Sequence, residues 1–228
     1  MCLVASDVKS LAYELGANLC GIASVDRLFE SPPGYHPRDV FAECRSVIVV
    51  ASAFPECSLN QGSDIYTMAR NLMADKMDLL AAELASCLQR KGVWAVSVRS
   101  MGNTKQDALG RYRGPISLKH AARLAGLGEF GKNTLLSNEV FGNMLWMSAV
   151  LVDAKLEADP LATYEVCPAD CHACEIACPA NAIEHGSLFN QLACFGHAYS
   201  YPEGKETINC HLCRSICPHH AGLSRRLN

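Results

Sequence analysis

Cys167-Pro-Ala-Asp-Cys171-His-Ala-Cys174-Glu-Ile-Ala-Cys178-Pro179 and, after a lone Cys194, Cys210-His-Leu-Cys213-Arg-Ser-Ile-Cys217-Pro218 decide how the end of this chain is built. Each stretch holds a C-x-x-C-x-x-x-C-P run, and each run has one further cysteine ahead of it. Together they supply the thiols that two 4Fe-4S clusters need. In the two-cluster ferredoxin pattern the cysteine before the proline ligates the other cluster, so the runs exchange ligands. On that logic one cluster takes Cys167, Cys171, Cys174 and Cys217, and the other takes Cys178, Cys194, Cys210 and Cys213. Three residues separate Cys167 from Cys171 where two are usual, so Cys167 is the one ligand whose spacing departs from the pattern.

Two rivals stand beside this reading. Two C-x-x-C pairs can build a zinc site with four cysteine ligands, but the C-P tail after each pair has no use there. Disulfides are the second rival. The start of the chain, Met-Cys-Leu-Val-Ala-Ser-Asp-Val-Lys, shows no basic region followed by a long apolar run, so the expected compartment is the reducing cytoplasm and the spacing points to metal. One-electron transfer is the chemistry such clusters supply.

The remaining composition bounds the rest. The chain has 228 residues, half of them hydrophobic, enough for a core and a small module beside it. A net charge of −3 offers no general attraction to nucleic acid or anionic membrane. The longest apolar runs, 47–54 and 144–152, are too short to span a bilayer. Cys2, Cys20, Cys44, Cys57 and Cys87 are scattered among apolar neighbours and read as core or near-surface thiols.

Along the chain, residues 6–15 have helical spacing closed by Gly16, and 19–23 read as a short strand. Residues 31–37, with three prolines, must be a loop. Ser46 to Phe54 is apolar on both faces and reads as a central buried strand. The spacing predicts a long helix over 64–90, with Ile65, Met68, Ala69, Leu72, Met73, Leu80, Leu84, Cys87 and Leu88 as its core stripe. Strands are expected at 93–98 and 145–152. The fold class is therefore α+β, an α/β sandwich over 1–158 followed by a ferredoxin-like module over 159–228.

Gly126, Gly128 and Gly131 match G-x-G-x-x-G literally, and Gly131-Lys132 nearly matches a Walker A loop. Both motifs need a strand before the glycines and a helix after them. Here a helix over 115–125 comes first, and Asn133 stands where magnesium binding needs a hydroxyl. Two accounts remain for the turn. It is a helix C-cap with close packing, or its amides with Lys132 and Asn133 line a cofactor. His120 faces the core or that cofactor, the core being the expectation for a lone histidine. Lys119 reads as a solvated helix position, His172 and His211 as shields of the clusters, and His219-His220 as exposed.

Ala125-Gly-Leu-Gly-Glu-Phe-Gly-Lys-Asn-Thr-Leu-Leu136, the Glu14-Leu-Gly-Ala-Asn-Leu-Cys-Gly opening, the Pro33-Gly-Tyr-His-Pro37 loop, Cys44-Arg-Ser-Val-Ile-Val-Val50 and the cysteine module together resemble the epoxyqueuosine reductases. The resemblance implies a nitroreductase-like domain that binds a corrinoid (cobalamin), joined to a two-cluster module, an architecture shared with corrinoid-dependent reductive dehalogenases. It implies an oxidoreductase in which a cluster passes electrons to cobalamin near Lys132 and Asn133, fed by a redox partner of ferredoxin or flavodoxin type. Counting back from Gly126, the resemblance places the family's catalytic aspartate at Tyr112 or one neighbour away, and Tyr112 is the candidate proton donor. The chain ends about ten residues after Cys217, without the helical-repeat domain of longer members, and its basic residues there are Arg225 and Arg226. With an acidic balance as well, nucleic acid is an unexpected partner. The expectation is a reductase of a small substrate. The alternatives are an electron carrier or corrinoid activator, and an epoxyqueuosine reductase acting on transfer RNA.

Overall fold

The computed structural model describes residues 3–31, 33–101, 104–183 and 189–223. Cys2, Pro32, Arg225 and Arg226 lie outside the described residues.

Four antiparallel strands make the central sheet: β1 (Leu19–Ser24), β2 (Ser46–Ala53), β3 (Ala95–Val98) and β4 (Leu145–Val152). Their spatial order is β1-β2-β4-β3. β2 pairs with both β1 and β4, with Val49 opposite Gly21 on one side and Ala149 on the other. Its run of Val and Ile is apolar on both faces because both faces are covered, as its sequence predicts.

One face carries Ile48, Val50, Val150 and Val152. Against it lie α1 (Ala5–Glu14), through Val8 and Ala12, and the 28-residue α2 (Ser63–Arg90), through Met77, Leu80, Ala81, Leu84 and Leu88. The other face, with Val47, Val49, Ala149 and Leu151, is covered by α3 (Leu118–Leu124) through Ala121 and Ala122. The result is a three-layer sandwich in which alternation along each strand feeds both cores.

α2 begins and ends near the expected places, but its inward face differs in the first half. Ile65, Met68 and Leu72 are 46%, 53% and 61% exposed, while Tyr66, Thr67 and Arg70 are buried. That half leaves the sheet and turns its other side toward the cysteine segment. Thr67 Oγ1 accepts from the Ile208 N–H at 2.9 Å, and Arg70 pairs with Glu206. Helix α3 is also shorter than expected, starting three residues after Pro115, with Ser117 at its N-cap.

The chain from Asp159 onward is tied in at its first residue. Asp159 accepts from the Ile22 N–H at 2.8 Å and from Lys9, and its own carbonyl accepts from Arg27 at 2.6 Å. Beyond it, regular structure is sparse. There are four-residue helical turns at Ala173–Ile176 and Leu212–Ser215, a helix α4 (Gln191–Ala198), and a two-residue ladder joining Tyr199–Ser200 to Thr207–Ile208. Among the described residues, no helix is long and apolar enough to cross a membrane.

Candidate metal centre

The two short helical turns carry the C-x-x-C runs, and they pack against each other. Pro179 and Pro218 follow the last cysteine of each run, where a proline ends a helical turn. The consequence is an exchange of neighbours. Burial pushes the Cys174 thiol up to about 11, and the negative charges of Cys167, Cys213 and Cys217 add to the push. Burial likewise raises Cys217, with Cys167, Cys171 and Cys213 beside it. Cys194 is pushed up to about 11 by burial and by Cys213, Cys178 and Cys210. The structure thus brings Cys167, Cys171 and Cys174 to Cys217, and Cys178 to Cys194, Cys210 and Cys213, with Cys213 lying toward both groups.

Among the described residues, no three His, Cys, Asp or Glu side chains converge tightly enough to hold a single metal ion. Two backbone donors complete the picture. The Lys132 N–H points at Cys167 Sγ at 3.4 Å, and the Ala182 N–H points at Cys178 Sγ at 3.2 Å. Such N–H···S contacts stabilise thiolate charge and tune cluster potential. The donor set, its neutralising amides and its crossed neighbours fit two 4Fe-4S clusters. Cys167, whose spacing is irregular, has a thiol contact of its own from the glycine turn.

That turn has a definite role. Gly126 has φ of +73° and closes α3, with the Leu127 N–H reaching the Ala122 carbonyl at 3.0 Å, a Schellman arrangement. Gly128 lies against the Ser137 backbone. A Cβ on Gly131 would come within 2.9 Å of Asn133 Oδ1 and 3.5 Å of Cys167 Sγ. A side chain there would crowd the Asn133 amide beside the thiol. Lys132 Nζ then donates to the carbonyls of Ala169 at 2.9 Å and Cys171 at 2.8 Å, with Pro168 at 3.4 Å. Buried Asn133 donates from Nδ2 to the Cys213 carbonyl at 2.9 Å and accepts the Leu135 N–H through Oδ1. One residue holds the first cysteine loop and its neighbour holds the second.

The Lys132 ammonium and the Asn133 amide are engaged with the cysteine loops, and the Lys132 N–H meets Cys167 Sγ. One groove of about 520 Å³ lies beside Cys57, Met68 and Leu72, and another of about 410 Å³ beside Phe41 and Trp94.

Other residues also move from their expected places. His120 is exposed and not in the core. Its Nδ1 lies 2.6 Å from Ser117 Oγ, its ring meets Phe130 edge-on, and burial of its inner side with Lys119 and Arg123 nearby lowers its pKa. Lys119 is not a solvated position. Nζ donates to the Thr134 carbonyl at 2.8 Å, and burial and Arg214 hold its pKa down, against Cys213 and Cys194. His220 is buried, with Nδ1 at the Cys217 carbonyl and Nε2 3.2 Å from Glu56. His211 stacks on Tyr66 at 3.9 Å and meets the Leu59 carbonyl. Tyr112 is 38% exposed. Its backbone is bracketed by Gln191, and its ring stacks on Phe195, which stacks on Tyr199. Of the scattered thiols, Cys20 and Cys44 are buried, with burial pushing them up to about 12 and about 11, while Cys57 is exposed. Arg214 is the group the sequence reading missed. It is buried beside Cys213, and its only mark in the sequence is adjacency to a cysteine.

No family model matches the chain. It is 24% identical to an epoxyqueuosine reductase of Staphylococcus aureus over 96% of this chain and 65% of that protein. The fold superposes with a TM-score of 0.64 on an epoxyqueuosine reductase crystallised with an epoxyqueuosine-modified tRNA stem loop, at 18% identity, covering 98% of this chain and 66% of that one. It superposes with a TM-score of 0.69 on a reductive dehalogenase described with B12-dependent dehalogenation, at 18% identity, covering 95% of this chain and 32% of the other. The chain is therefore similar to epoxyqueuosine reductases over nearly all of its length, and the relatives bearing that name are oxidoreductases. It spans about two thirds of the length of the epoxyqueuosine reductases it matches.

Proposed function

We propose that this protein is an iron–sulfur oxidoreductase that passes single electrons through two 4Fe-4S clusters, one on Cys167, Cys171, Cys174 and Cys217, the other on Cys178, Cys194, Cys210 and Cys213. The observation that carries this is the exchange of neighbours between the two runs, in which Cys217 joins the first set and Cys178 the second. Bound clusters supply one-electron transfer. The chain's own residues do the rest. Lys132 and Asn133 hold the two cysteine loops at a set distance, and the Lys132 and Ala182 amides donate to thiol sulfurs. His211 and Tyr66 cover the Cys210 loop. A ferredoxin- or flavodoxin-type protein is the proposed electron donor. Tyr112 is the proposed proton donor to a small substrate, being exposed and stacked on the helix that bears Cys194. Cobalamin belongs to this reading through resemblance alone, and no step is assigned to it.

Anaerobic purification followed by iron and sulfide analysis tests the reading, with about eight of each expected per chain. Four irons, or zinc in their place, overturns it. A second reading, reduction of a modified tRNA, is favoured by the likeness to the stem-loop complex over nearly all of this chain. A gel shift with tRNA at moderate salt separates the two, since the small-substrate reading requires no shift.

A further inference from the structure

Buried charges are paired or they are costly. Arg70, buried on α2, is matched by Glu206. Arg214 is buried too, yet its partners include the Asn143 carbonyl, the Met144 sulfur and the Phe54 ring face, with its guanidinium carbon 5.7 Å from that ring's centroid. The Tyr66 phenol, raised by burial, is held back by the same guanidinium. Lys119 donates to a carbonyl. Among the described residues, neither cation makes an ion pair with a carboxylate. Both border the same thiols. Arg214 follows Cys213 in sequence. Lys119 holds the Thr134 carbonyl, next to the Asn133 that binds the Cys213 carbonyl.

The first thiol set has a different surrounding. Glu175 follows Cys174, with His172 Nδ1 2.6 Å from its carboxylate. The nearby cation is Lys132, whose ammonium is half-exposed and spent on loop carbonyls. Both sets have N–H···S contacts, so these do not distinguish them.

We propose that Lys119 and Arg214 are positioning residues whose missing counter-charge is the cluster on Cys178, Cys194, Cys210 and Cys213, and that they set its reduction potential above that of its neighbour. A reduced cluster carries one more negative charge, and a cation in a low-dielectric site favours that form. One electron from a low-potential donor therefore enters at the Cys167 set, oxidising the donor. It then moves to the Cys194 set, oxidising the first cluster and reducing the second. The acceptor side of the molecule is then the face around Cys194, Phe195 and Tyr112, and the donor docks toward Cys167 and Cys171. This rests on the two-cluster reading above.

The test is a dithionite redox titration followed by EPR, on wild-type protein, Lys119→Met, Lys119→Arg and Arg214→Lys, each with iron analysis. Two reduction waves are expected. The higher should belong to the EPR signal that Cys194→Ser alters or abolishes. Lys119→Met should lower that wave and leave the other in place, and Lys119→Arg and Arg214→Lys should keep it near wild type. Full iron content with no shift, or a shift in the other wave, overturns the proposal. Missing iron in the wild-type protein instead overturns the two-cluster reading beneath it. If Lys119→Met alone loses iron, the order of the two wild-type waves still decides.

Discussion

Val47 to Ala51 of the central strand are buried on both sides by side chains from two helical layers. Between Val166 and Leu223, by contrast, the buried apolar residues among those described are Val166, Ala182, Ile183, Ala198 and Ile208, besides the thiols of Cys174 and Cys217. The sandwich is held by apolar area removed from water. The cysteine segment has too little of it, and its regular elements are one or two turns long. Its order comes from point attachments: Lys132 and Asn133, the Tyr66–His211 stack, Arg214 on Asn143, and the metal it is proposed to hold. Two regions of one chain thus reach a fixed structure by different means, and they should fail differently.

Metal removal is the largest expected effect. Chelation of iron should abolish amide-exchange protection across 166–223 and leave β2 and β4 protected, because metal binding is folding energy for such segments. Simultaneous loss in both regions breaks the distinction. In the sandwich, Leu84→Ala should cost about 2–5 kcal/mol in denaturant unfolding with iron content unchanged, since the side chain is fully enclosed. Asn133→Leu strands the Cys213 carbonyl and should cost about 1–3 kcal/mol, with cluster loss on mild heating as the sharper readout. Lys132→Met should cost less, about 1 kcal/mol, because its ammonium is half-exposed, but it should hasten iron release on exposure to air.

The smallest effect concerns the 105–113 hairpin. The Arg113 guanidinium, ahead of the backbone amides and Arg111, holds the Asp107 carboxyl well below the usual carboxylate range. A depressed folded value stabilises above the unfolded value of about 4, and the contribution is lost as pH falls through the folded one. Asp107→Asn should therefore mobilise the hairpin at neutral pH, seen by amide exchange, and leave its mobility insensitive to mild acid.

Much of this was legible from local pattern. The double apolar face of β2 required a central strand, and the spacing of two C-P runs implied exchanged partners before any geometry was known. The first half of α2 was misread because Ile65, Met68 and Leu72 form a good apolar stripe by period alone, while the true inner face there carries Tyr66, Thr67 and Arg70. Polar residues on an inner face are invisible to a hydrophobic pattern when their partners, Ile208 and Glu206, lie more than a hundred residues away. Lys132 and Asn133 stood out in the sequence, but their grip on the cysteine loops did not, since a glycine turn announces a close backbone approach without saying to what.

Sequence alone determined the thiols, their two runs, the central strand and the long helix, because each depends on spacing within a few residues. Tertiary structure alone decided that the glycine turn grips both cysteine loops, that His220 is buried, and that Arg214 and Lys119 stand beside one thiol set without a carboxylate. Those facts depend on which distant groups share a low-dielectric site, and charge pairing there is settled by proximity in space, which no local period encodes.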